Sequence, residues 1–276
     1  MELNNKIQES LNYWKEKLFN EYGKDHILNI TLYGSQNYKI DTSSSDVDMK
    51  AIYVPSIREA VCNSFWLSTE LLNEKNGHCE IKDIREMCKM YTKQNLNFLE
   101  TLFTEYRWDN PLYKDIHYRF KECSEKIARY NISYGIKSLC GQALNTIKEI
   151  QKDCSLANKK IAKIIYLYLF LIKYIDNKDY KSCIEIADDE KFLHFKAKPL
   201  LLMLKTGNMN LLSQTDQNLL FNKENGVTNF LKIYFTNMLN FSENEHSNNY
   251  IVKNILNDIS YESIVIYEKE QEKKNG

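Results

Sequence analysis

Apolar side chains recur at Leu3, Ile7, Leu11, Trp14 and Leu18, the spacing of one face of an amphipathic helix, and Gly23 ends it. "HILNITLYGS" then reads as a strand that stops at Gly34. "DTSSS" is a loop, and "DVDMKAIYV" is a second strand closed by Pro55. Residues 56–77 carry a mixed signal, part helix with a turn at "NEKNG". "HCEIKDI", 78–84, predicts a third strand that runs into an amphipathic helix, "REMCKMYTKQNLNFLETLF". The first 110 residues thus predict a helix, three strands and a helix around a small mixed sheet. Strand signals then fall away, and 112–152, 157–175, 196–205, 226–240 and 248–268 predict helices. The polar tail "EKEQEKKNG" predicts fraying. The proline turn "WDNPLY" near 108–112 sets the junction between domains over 1–110 and 111–276.

Composition agrees with this division. A chain of 276 residues with 43% hydrophobic content can bury a sizeable core, and only three prolines and eight glycines favour helix. The most apolar run, "IIYLYLFLIKYI" over 164–175, is too short to cross a bilayer and contains Lys173, so it predicts a buried helix and no membrane. The first residues lack the basic and apolar regions of a secretion signal. Seven cysteines (62, 79, 88, 123, 140, 154 and 183) are odd in number and never spaced CxxC. That pattern points to reduced thiols and a cytoplasmic protein. Net charge is zero, but residues 1–110 carry 13 Lys+Arg against 17 Asp+Glu, and 111–276 carry 24 against 20. An acidic half suited to cations beside a basic half suited to phosphates follows, with ordinary scatter as the plain alternative.

The chemistry concentrates in "LYGSQNYKIDTSSSDVDMKAIYVP", 32–55. Residues i and i+2 of a strand share a face, so Asp46 and Asp48 predict two carboxylates aimed at one spot. Like charges held that close call for a cation, and hard oxygen donors suit Mg²⁺ or Mn²⁺. Glycine at 34 permits close approach to a ligand, and Ser35 offers a hydroxyl and an amide to phosphate. Together these describe a site for a nucleoside triphosphate (NTP) with its metal. Glu80 and Asp83 lie on opposite faces of the third strand, so at most one supplies a third carboxylate.

The Gly-Ser, the spacing of about ten residues and the Asp-x-Asp on a strand resemble the DNA polymerase β nucleotidyltransferase superfamily. "YGSQNYKIDTSSSDVDMKAIYVPS" is similar to its GSxxYG branch, some of whose members are associated with RNA-repair ligases. "EIKDIREMCKMYTKQNLNFLETLF", "ARYNISYGIKSLCGQALNTI" and "NKKIAKIIYLYLFL" extend the likeness over about 27–207. The resemblance implies an α/β (α+β) fold, with a polymerase-β-type nucleotidyltransferase domain followed by an all-helical C-terminal domain. It also implies that Gly34 and Ser35 hold the triphosphate and that Asp46 and Asp48 bind the metals. Glu80 would be the third carboxylate and Lys50 a nucleotide-site residue. Two departures stand out. The glycine expected after Tyr38 is Lys39. A Lys, His, Arg series on the helix from 157 reads Lys159, Lys163 and Tyr166. Lys159 and Lys163 share a face one turn apart and could grip phosphates, or form a solvated basic stripe.

Tyr130 and Tyr134, four apart, suit base stacking or a core stripe. The five histidines (26, 78, 117, 194 and 246) show no shared helical face and are assigned to no metal. The expectation is transfer of a nucleoside monophosphate from an NTP to a hydroxyl, an RNA end first. The acceptor would enter a cleft between the acidic and basic halves. A protein or small-molecule acceptor is the second reading, and a binding protein that keeps the fold without catalysis is the third.

Overall fold

Side-chain alternation gives the strands an apolar and a polar face, and that sorting builds the first half of the molecule. In the computed structural model, residues 2–42, 45–62, 68–73, 77–152, 157–222, 226–242 and 250–276 are described. Ser43 and Ser44 of the "DTSSS" loop, most of the "NEKNG" turn, Cys154 and His246 lie outside them. The protein is α/β: a mixed five-stranded N-terminal sheet with helices, then a largely helical region.

Helix α1 (Glu2–Tyr22) precedes β1 (Ile27–Tyr33) and β2 (Asp48–Tyr53). After α2 (Ile57–Cys62) come β3 (Ser68–Asn73) and β4 (Gly77–Asp83), then α3 (Ile84–Thr92) and α4 (Leu96–Leu99). A short β5 (Arg107–Asp109) completes the sheet in the order β3-β4-β2-β1-β5. β2 and β4 run parallel, with Met49 beside Cys79 and Lys50 beside Glu80; the other pairs are antiparallel. On one face, Ile30, Leu32, Met49, Ala51, Cys79 and Ile81 pack against Ile7, Leu11, Trp14 and Leu18 of α1. Each large side chain so buried contributes about 1.5–3 kcal/mol. The opposite face carries Thr31, Tyr33, Asp48, Lys50, His78, Glu80 and Lys82.

Contacts divide the chain into two units, residues 1–37, 45–130 and 249–276, and residues 38–44 and 131–248. The partition differs from a junction at 110/111 for physical reasons. "WDNPLY" is no linker: Trp108 and Asp109 pair with β1, and the Asn110 amide donates to the carbonyls of Lys24 and Ile27 at 3.0 and 2.9 Å. Helix α5 (Lys114–Ala128) packs on α3. The last helix, α12 (Tyr250–Asn275), packs on α2, α3 and α5. Its tail is anchored rather than frayed, with the Gln271 amide 2.9 Å from Asp25 Oδ2 and Lys274 paired to the same carboxylate.

The predicted helix over 112–152 is two helices, α5 and α6 (Ile132–Lys152), because the Asn131 side chain accepts from the Tyr134 amide at 3.0 Å and starts a new one. Tyr130 therefore sits in the turn, its hydroxyl donating to Thr92 O, and shares no helix with the exposed Tyr134. The second unit packs α6 against α7 (Ala157–Ile175) and α11 (Val227–Ser242). Gly135 permits this approach: a Cβ there would stand 2.5 Å from the Tyr174 hydroxyl. The remaining helices are α8 (Tyr180–Ile184), α9 (Ala197–Thr206) and α10 (Gln214–Phe221). The unit is not all-helical, since β6 (Lys191–Phe192) and β7 (Phe195–Lys196) form a hairpin. Two-residue strands leave no periodicity to read. Among the described residues, no helix is long and apolar enough to cross a membrane.

Candidate metal and phosphate site

β1 ends at Tyr33, and the chain turns at Gly34 with φ 96°, a conformation that glycine adopts without strain. A Cβ on Gly34 would stand 3.9 Å from Asp48 Oδ2, so the turn passes over the first residue of β2. Ser35 follows, half-buried. The turn is fixed by its own polar groups. The Asn37 amide N–H donates to Gly34 O at 3.0 Å and its side chain to Leu32 O at 3.1 Å, while Thr104 Oγ1 donates to Asn37 Oδ1 at 2.9 Å. Gln36, 6% exposed, donates to Asp46 O at 2.5 Å.

Asp46 lies just before β2 and is exposed; Asp48 opens the strand. Burial still alternates across them, with Val47 and Met49 in the core. Asp48 pairs in register with Tyr33, and its Oδ1 lies 2.8 Å from His78 Nδ1. That contact lacks hydrogen-bond alignment, and among the described residues this enclosed oxygen accepts no hydrogen bond. The Tyr33 hydroxyl meets His78 Nε2, and Glu70 Oε1 lies 3.4 Å from the same nitrogen. Contact with the Asp48 carboxylate raises the His78 pKa against the opposing effect of burial, and Glu70 adds to it. Burial first, then the charges of Asp48, Glu80, Glu100 and Glu70, push the Tyr33 hydroxyl well above its ordinary value, so it keeps its proton.

Lys50 is 2% exposed. Its ammonium lies 3.9 Å from the centre of the Tyr33 ring and 4.2 Å from that of Phe98, and pairs with Glu80 Oε2. Lys82 takes the other oxygen, Oε1, at 2.8 Å. Burial lowers the Lys50 pKa, with Glu80 resisting. Burial acts to raise the Glu80 pKa, but the two lysines outweigh it and hold the carboxyl below its usual range. Lys50 is therefore an internal strut rather than a surface ligand. Glu100, fully buried, acts electrostatically on both Lys50 and Tyr33. Asp83 is resolved as the other kind of residue: at 0% exposure it caps α3 through the Arg85 amide at 2.8 Å and pairs with the Arg85 guanidinium at 2.6 Å.

The remaining predicted residues belong to the second unit. Lys159 and Lys163 are exposed on α7. Tyr166 is buried, its ring stacked on Tyr38 at 4.2 Å and its hydroxyl donating to Ile184 O at 3.2 Å. Lys39 holds φ 58°, left-handed backbone, with its ammonium 2.5 Å from Glu185 Oε2.

Asp46, Asp48 and Glu80 do not converge as a triad, because both Glu80 oxygens are engaged by lysines. Among the described residues, no group of three or more His, Cys, Asp or Glu side chains is placed to hold a metal. The two aspartates do fit a hard divalent ion in part. Both are oxygen donors, and Asp48, beside the turn at Gly34, has an enclosed oxygen without a hydrogen bond; Asp46 lies outside the strand, so alternation does not fix its carboxylate on the same face. Sequence reasoning missed Tyr33, His78 and Glu100. The offset that pairs Met49 with Cys79 also sets Asp48 beside His78, and strand register was the only signal that could have found it. The chain matches no protein-family model and no curated protein.

Proposed function

We propose that the protein is a metal-dependent nucleotidyltransferase that moves a nucleoside monophosphate from an NTP to a hydroxyl, with an RNA end as the acceptor. The observation that carries this reading is the placement of the Gly34 turn directly over Asp48. A phosphate-holding turn and a metal-binding carboxylate serve one substrate only if they are neighbours. Lys39 adds support, since it keeps left-handed backbone at the position where the GSxxYG pattern has glycine.

In this reading Gly34 lets the triphosphate approach the backbone, and Ser35 donates its hydroxyl to a phosphate oxygen. Asp46 and Asp48 would hold Mg²⁺ or Mn²⁺. Bound there, the ion would neutralise the triphosphate and polarise the phosphorus under attack. Glu80 serves as the counter-charge that fixes Lys50 and Lys82. The attacking hydroxyl gives up its proton to water and forms the new bond to the α-phosphorus, as the bond to the oxygen bridging the β-phosphate breaks and pyrophosphate leaves. Lys159 and Lys163, exposed on a helix of the second unit, remain candidates for holding an anionic substrate.

The test is to incubate the full chain with each α-labelled NTP, Mg²⁺ and total cellular RNA or protein. The expected result is label on RNA that depends on both Asp46 and Asp48. Label on protein reassigns the acceptor. No transfer from any NTP, or transfer unchanged in D46A and D48A, overturns the reading.

A further inference from the structure

Three strands place Tyr33, Asp48 and His78 side by side at one end of the polar face, through the Tyr33–Asp48 pair of β1 and β2 and the parallel offset between β2 and β4. The resemblance assigns no role to His78. The chain nevertheless clears a path for one. At Gly77, φ is 70° and a Cβ would stand 2.5 Å from Val47 O and 3.1 Å from Asp48 Oδ1, so only glycine lets β4 begin this close to the aspartate. The imidazole then uses both nitrogens, with Nδ1 facing Asp48 Oδ1 at 2.8 Å and Nε2 meeting the Tyr33 hydroxyl. Glu70 Oε1 lies 3.4 Å from the same Nε2, so the ring stands between two carboxylates and is held in place by the Tyr33 hydroxyl.

We infer that His78 is a positioning residue for Asp48: the imidazole, 2.8 Å from Asp48 Oδ1 at Nδ1 and held by Tyr33 at Nε2, fixes the carboxylate for a divalent cation. The inference rests on the reading of Asp48 as a cation ligand. Partners of this kind orient the groups that bind metals, and losing one lowers metal affinity about 10- to 100-fold. Asn and Gln separate the two nitrogens, because an Asn amide reaches the place of Nδ1 and a Gln amide that of Nε2.

The experiment titrates Mn²⁺ into the nucleotide-free full chain and follows free Mn²⁺ by electron paramagnetic resonance, with thermal unfolding measured alongside. H78A and H78Q are expected to bind about 10- to 100-fold more weakly than wild type, H78N to recover most of the loss, and Y33F to lose part of it. Equal affinity in wild type, H78Q and H78N overturns the inference, and the H78N–H78Q contrast decides the matter even where H78A fails to fold. Y33F equal to wild type removes the role of Tyr33 in holding the ring. D48N separates the two levels of the argument. Binding unchanged in D48N sinks the cation reading of Asp48 and His78's role with it. Binding lost in D48N but untouched in the His78 variants sinks only the positioning role.

Discussion

Lys50, almost fully buried, meets the carboxylate of Glu80 from the neighbouring strand, and its ammonium lies against the rings of Tyr33 and Phe98. The pairing is asymmetric, because Lys82 holds Glu80's second oxygen whereas, among the described residues, the Lys50 ammonium has no second carboxylate in direct contact. Removing one partner of a buried pair leaves the other charge uncompensated. E80L is therefore expected to lose about 3–5 kcal/mol in urea unfolding. K50M leaves Glu80 with Lys82 and should lose about half as much. The double variant K50M/E80L should be more stable than E80L alone. A double variant whose loss equals the sum of the two single losses would show that the charges act independently.

Gly77 carries two constraints at once, left-handed backbone and a carbonyl 2.5 Å from where a side chain would begin. The obstructing atom is backbone and cannot swing aside. G77A is expected to lose about 2–4 kcal/mol in urea unfolding, combining left-handed strain with overpacking. Gly207 serves as a control, because it has a similar φ of 72° and nothing near its missing Cβ. G207A should lose only about 1 kcal/mol. Equal losses would mean that crowding at Val47 contributes nothing.

What the sequence disclosed depended on how local each signal was. The apolar positions at Ile7, Leu11, Trp14 and Leu18 announced α1 and its buried face, because a helix writes its partner surface at a fixed period. β1 and β2 were legible as apolar runs bounded by Gly34 and Pro55, although β2 opens only at Asp48 and leaves Asp46 outside the strand. β3 and β5 were not: β3 falls in a stretch of mixed signal, and β5 is three residues long. The turn glycine and Asp48 proved to be neighbours, as their spacing suggested. Glu80's fate was hidden, because whether it faces a ligand or a lysine depends on which residue the adjacent strand sets beside it. Lys50 and Lys82 flank Glu80 by register across strands and by alternation along one.

Lys39 occupies left-handed backbone at φ 58°, with an exposed ion pair to Glu185. A residue with a Cβ pays about 1 kcal/mol or more for that backbone, whereas an exposed ion pair returns at most about 1 kcal/mol. K39A loses the pair and retains the strain, so its unfolding free energy should fall by up to about 1 kcal/mol. K39G loses the pair but relieves the strain, and is expected to remain within about 0.5 kcal/mol of wild type. Thermal unfolding of the three proteins and E185Q, which removes the pair alone, makes the comparison. K39A and K39G of equal stability would show that the backbone stores no strain there.

Asp25 fastens the far end of α12 through the Gln271 amide and the Lys274 ammonium. Nearby, Tyr267 donates its hydroxyl to His26 Nε2 at 2.7 Å, and His26 Nδ1–H donates to Val54 O at 2.7 Å. Burial works against ionisation of Asp25, but the hydrogen bonds from Lys274 and Gln271 outweigh it and lower its pKa. A carboxyl held lower in the folded state than in the unfolded one stabilises the fold above its unfolded value, about 3.9. That contribution disappears as pH falls through the folded value. Amide exchange in the last two turns of α12 should therefore be protected at neutral pH, and the protection due to Asp25 should vanish in acid. D25N should exchange faster in the same turns already at neutral pH, with little change around Val252 and Leu256, which are buried at the helix's other end. The local readout discriminates: a loss spread evenly along α12 would mean that the aspartate supports the whole helix, and no loss at all that packing alone holds its end.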